Sequence, residues 1–121
     1  MISEFSGCEL LLLKRLVIMV NDYALAVEKF GDKFYEQDSR KIVPSMKKPT
    51  RNHLMDIFSN GKKAHRFFFE PEDDGILSFE GITNYFGINK NLILNKLKSL
   101  NQKNAAKFSF HINHTVSKWP L

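Results

Sequence analysis

The sequence predicts a mostly α-helical single domain over residues 1–121, and three observations carry that expectation. Apolar residues recur three and four apart through Leu13, Leu16, Val20, Tyr23, Val27 and Phe30, the spacing of a buried helix stripe. Two shorter helical patterns flank Gly87 near the other end of the chain. The 121 residues are 43% hydrophobic, enough to enclose one core. Eleven phenylalanines against one tryptophan predict an interior filled largely by phenylalanine.

The first helix is expected over residues 8–30, closed by Gly31 as a C′ glycine. The Leu10–Leu13 run is apolar on every face, so its turns need burial all round or a partner. Two readings stay open for Leu10–Phe30. One is a core helix of a single domain; the other is a seam for a homodimer or a protein partner, with the stripe read as short heptads. Cys8, the one cysteine, excludes an internal disulfide and a Cys-based zinc site, and reads as a buried structural thiol.

Residues 31–49 read as a loop or linker that opens with a helical turn around Phe34-Tyr35 and contains Pro44 and Pro49. A middle helical segment follows over 50–69, with Thr50 as its N-cap and Leu54, Ile57 and Phe58 inward. Asn60-Gly61 is expected to break or bend it. Phe67, Phe68 and Phe69 in a row predict burial on several sides, not a platform for stacking bases. Glu70, Glu72, Asp73 and Asp74 lack the spacing of a calcium loop and read as a polar turn.

Residues 78–100 carry a helix-turn-helix pattern. Ser78 can cap the first helix, with Ile82 and Phe86 on its apolar edge, and Gly87 supplies a positive φ where the chain leaves it. Ile88 plugs the turn. Asn89 then caps a second helix whose Ile93, Leu97 and Leu100 share one face. Gly81 inside the first helix costs about 1 kcal/mol against Ala, which calls for either a close backbone neighbour or a marginal helix.

Beyond the helices, the tail 101–121 alternates Phe108, Phe110 and Ile112 with polar residues, which predicts a short β-strand. Trp119 is expected to dock on the domain.

The formal charge is +5, and its distribution is uneven. After Glu80 the chain holds no Asp or Glu, while Lys90, Lys96, Lys98, Lys103, Lys107 and Lys118 all follow. Basic charge on and beyond a second helix is where a protein that neutralises phosphates would carry it. With Ile93 and Leu97 inward, the outward candidates are Lys90, Asn91, Leu94, Asn95 and Lys98. Asn91 and Asn95 are the expected base readers, since asparagine pairs bidentately with adenine. Lys90, Lys96 and Lys98 would sit on phosphates, and Asn89 would contact backbone or cap.

Other chemistry finds little support. His111 and His114 fall on opposite faces of a strand, and no H-E-x-x-H motif, glycine-rich phosphate loop or G-x-S-x-G elbow occurs. The expectation is a protein without catalytic site, metal or cofactor. Residues 10–20 are too short and too charged to span a bilayer, and no secretory pattern is visible, so a cytoplasmic protein is expected.

The motif Ser78-Phe79-Glu80-Gly81-Ile82-Thr83-Asn84-Tyr85-Phe86-Gly87-Ile88-Asn89 resembles the helix-turn-helix of sigma-factor and response-regulator DNA-binding domains. More closely, it is similar to a small bacterial family that carries S-F-E-x-I/V-x-x-x-L/F-G-I/L-D/N after a leucine-rich helix. The resemblance is good over residues 78–97 and loose over 9–100. It implies double-stranded DNA as partner, a role in transcription regulation and a recognition helix over Asn89–Leu100. That family tends to carry arginines where this chain has Leu94-Asn95, so the outward face is less basic than the resemblance implies. The alternative is an adaptor or inhibitor that keeps the helix-turn-helix shape and binds protein instead of DNA.

Overall fold

The computed structural model describes residues 7–38, 48–70 and 75–108. Four helices, α1 (Gly7–Phe30), α2 (Lys48–Phe69), α3 (Phe79–Phe86) and α4 (Lys90–Lys98), form an all-α fold with no strand among those residues. A 3₁₀ turn over Phe34–Glu36 stands between α1 and α2. None of the described helices is long and apolar enough to cross a membrane.

α1 follows its sequence pattern closely. Leu16, Val20, Tyr23 and Val27 are buried, and Leu13 and Phe30 are half-buried. Gly31 adopts φ +98°, and its N–H donates to the Val27 carbonyl at 2.8 Å, closing the helix as expected. Leu10 is buried, whereas Leu11 is 62% exposed and Ile18 stands out on the same side one heptad later. The stripe of α1 is therefore spent on the chain's own core. Cys8 is exposed, which corrects the expectation of a buried thiol.

α2 runs antiparallel to α1. Phe30 meets Phe58 edge to face at 5.2 Å, and Tyr23 meets Phe68 in the same way at 6.4 Å. α2 begins at Lys48, so Thr50 lies inside it instead of capping it, and Pro49 falls in the first turn, where a missing N–H is tolerated. It also passes straight through Asn60-Gly61. The reason is steric. A Cβ on Gly61 would collide with the Ala26 methyl and come within 3.1 Å of the Phe34 ring, so the glycine lets α1, α2 and the 3₁₀ turn close together. Ala24, Ala26, Ala64 and Phe34 are all buried around this crossing.

The rest of the core joins the two long helices to α3 and α4. Phe68 packs edge to face on Phe79 at 4.9 Å, and Ile82, Leu97, Leu100 and Ala105 complete the cluster. Each large side chain buried in this way contributes roughly 1.5–3 kcal/mol. Arg15 pins the α2–α3 connection to α1: its Nε–H donates to the Leu77 carbonyl at 2.9 Å while its guanidinium lies 5.2 Å from the Phe67 ring centre.

The expected strand begins at Phe108, but residues 105–108 form one helical turn instead. It starts from Asn101, which accepts at Oδ1 from the N–H of Lys103 and Asn104. Phe110, Ile112, His111, His114 and Trp119 lie outside the described residues, as do Pro44, Glu72, Asp73 and Asp74.

Candidate nucleic-acid interface

The site is built by the caps of α3 and α4. Ser78 is the N-cap of α3: its Oγ accepts from the Gly81 N–H at 3.0 Å and its hydroxyl donates to the Gly75 carbonyl at 2.6 Å. Gly87 takes φ +66°. The Gly87 N–H donates to the Asn84 carbonyl at 3.3 Å and the Ile88 N–H to the Thr83 carbonyl at 2.8 Å, the paired bonds of a Schellman motif. Ile88 packs on the core as the plug of the turn. Asn89 then caps α4 by accepting the Asn91 N–H at Oδ1, 3.0 Å away. The turn thus sets where α4 starts and which way it is rotated.

Gly81 resolves in favour of a close neighbour. A Cβ there would fall on the Gly75 carbonyl and 2.9 Å from the Ile76 Cα, so only glycine lets the 75–78 turn lie on α3. Thr83, also inside α3, is buried, and its hydroxyl donates back to the Phe79 carbonyl at 2.9 Å.

α4 presents its two faces unequally. Leu97 is 2% exposed and Ile93 is half-buried, so this face is held against the core. Asn91, Asn95 and Lys98 stand exposed on the opposite side, one turn apart along the helix. Leu94 differs from the expectation: it is half-buried and packs on the core, three residues before Leu97 on the same side of the helix. The leucine that faces solvent is Leu92, at 68% exposure, a position the sequence reading did not single out.

The lysines are distributed around α4 and each has a neighbour. Lys90 Nζ lies 3.6 Å from the Glu80 carboxylate, bridging the start of α4 to the start of α3. Both groups are about half exposed, so the pair is worth at most about 1 kcal/mol. Lys96 Nζ stands 5.3 Å from the Phe108 ring centre, and Lys98 Nζ 5.9 Å from that of Phe69. Asn89 uses its side-chain oxygen for the cap, and Ser99 donates its hydroxyl to the Lys96 carbonyl at 2.7 Å. Asn91 and Asn95 therefore remain the polar pair on the outer face, with Lys98 beside them.

Leu92 also borders an apolar cavity of about 280 Å³, shared with Val20, Ile93, Lys96, Leu97 and Phe108. Among the described residues, no group of three His, Cys, Asp or Glu side chains is placed to hold a metal ion. No protein-family profile matches the chain, and neither curated proteins nor solved structures include a significant match.

Proposed function

We propose that this protein binds double-stranded DNA through α4 and acts as a regulator of transcription in the cytoplasm. The observation that carries the reading is the fixed rotation of α4: Leu97 anchors one face while Asn91, Asn95 and Lys98 are exposed on the other. A helix held in this way can enter the major groove with two amide side chains toward base edges. The supply of charge agrees, because the chain beyond Glu80 carries lysines and no Asp or Glu. Lys96 and Lys98 flank the outer face for phosphates, and Lys90 can exchange Glu80 for a phosphate at small cost. The chain performs no catalysis in this reading and needs no cofactor. A selection of binding sequences with the parent protein and with the Asn91→Ala/Asn95→Ala double variant tests it. Recovery of a preferred sequence by the parent and its relaxation in the double variant are expected. Identical selected sequences from both would remove these residues as readers.

A second reading has its own support. Leu92 at 68% exposure beside the 280 Å³ apolar cavity is unusual on a face meant for a polyanion. It favours an adaptor or inhibitor that seats an apolar side chain of a protein partner there. A dimer through α1 draws less support, since most of the stripe from Leu10 to Phe30 is already covered.

A further inference from the structure

A separate cavity of about 230 Å³ opens where the end of α1, the 3₁₀ turn, the end of α2 and α4 come together. Its walls are aromatic. The rings of Tyr35 and His65 stack 3.9 Å apart at 12°, and Phe69 leans on His65 with ring centres 5.1 Å apart. Glu70 holds His65 Nδ1 at 3.1 Å, which fixes the plane of that stack.

Tyr23 also lines the cavity. The residue is 4% exposed. Asp32 and Tyr35, two further lining residues, add to the burial that pushes this phenol up to about 12. The hydroxyl is thus a protonated donor beside the cavity at neutral pH. A ligand oxygen in the cavity can accept from it. The exposed Lys33 and Lys98 supply two ammonium groups beside the cavity, with Asp32 in the lining and Glu70 on His65 as the nearby carboxylates.

We propose that this cavity binds a single-ring aromatic carboxylate. The ring lies against Tyr35, His65 and Phe69, and the carboxylate accepts from the Tyr23 hydroxyl, with Lys33 and Lys98 as counter-charges. Planar walls of this kind favour a ring in offset or edge-to-face contact. Small-molecule pockets begin at about 300 Å³, so a space of 230 Å³ suits one ring and not two. Binding does not depend on DNA, and it would act on α4 directly through Leu97 and Lys98.

The test is a titration of the ¹⁵N-labelled protein with benzoate, followed by amide chemical shifts, with cyclohexanecarboxylate as a probe of equal charge and no aromatic face. Benzoate should give saturable shifts centred on Tyr35, His65, Phe69 and Lys98, and the saturated ring should bind at least about threefold more weakly. Tyr23→Phe keeps the ring and should weaken benzoate about tenfold. Lys33→Gln, an exposed change, should weaken it about threefold. The proposal is overturned by shifts that do not saturate, by shifts scattered over other lysines, by equal binding of the two probes, or by unchanged affinity in both variants.

Discussion

Gly81 and Gly75 meet backbone to backbone, and that contact lets the turn before α3 fold onto the helix it caps. Ser78 sits between them in the chain and ties both, accepting from Gly81 and donating to Gly75. Gly81→Ala improves intrinsic helix propensity by about 1 kcal/mol, yet the added methyl has no room. The expected result is a net loss of about 1–3 kcal/mol in chemical denaturation. Gly7→Ala, at a position with nothing within 4 Å, is the matching control and should be near neutral. Equal behaviour of the two variants would show that the 75–78 turn does not rest on α3.

The two faces of α4 make opposite predictions for leucine truncation. Leu97→Ala empties a core position and should cost about 2–5 kcal/mol. Leu92→Ala, at the exposed site, should change stability by less than about 0.5 kcal/mol. Leu94→Ala should fall between them, since Leu94 is half-buried against the core. A large loss at Leu92 with none at Leu97 would mean that α4 is rotated from the orientation described.

The half-buried His65 and the buried Tyr23 set opposite pH limits. Burial holds His65 below its ordinary 6.5, and the Glu70 carboxylate opposes this only in part. The unfolded chain therefore binds a proton on this histidine before the folded one does. Its contribution to stability is complete above 6.5 and is lost as pH falls toward the folded value. Denaturation midpoints measured on either side of 6.5 should show a smaller acid loss in His65→Gln than in the parent. An equal acid loss in both would remove His65 from the effect.

Tyr23 works at the other limit. Its phenol is raised from 10 to about 12, so its contribution is complete below 10 and disappears as pH climbs toward 12. The phenolate absorbance of the native protein should include a late phase near 12 that Tyr23→Phe abolishes. Retention of that phase in the variant would assign it to another tyrosine.

Much of the helix-turn-helix was legible because its signals are local. Ser78, Gly87 and Asn89 each act within a few residues of themselves, so a cap or a positive φ can be read from neighbours alone. The α1 stripe was legible for a related reason, since a long helix repeats its phase often enough to leave little ambiguity. α4 is only nine residues long, and in so short a helix the edge of the buried face is poorly defined. For that reason the sequence pattern points Leu94 outward and does not mark Leu92 as exposed. The bend expected at Gly61 depended on what Ala26 and Phe34 do 27 or more residues away, which no local pattern records. The aromatic cavity was invisible for the same reason: Tyr23, Tyr35, His65 and Phe69 come from three separate segments. Lys90 likewise looked free in sequence, whereas the turn brings Glu80 to it.

The central claim is that α4 is a DNA-facing helix, and its most direct test is the salt dependence of binding. Fluorescence anisotropy of a labelled duplex, titrated with protein at low and moderate salt, reads it. The account predicts binding that weakens steeply as salt rises, each phosphate contact contributing about −0.9 to the slope of log affinity against log salt. It also predicts a shallower slope for Lys98→Gln, by about one contact. No binding at low salt, or binding indifferent to salt, would contradict the claim and leave the apolar surface around Leu92 as the working face of the protein.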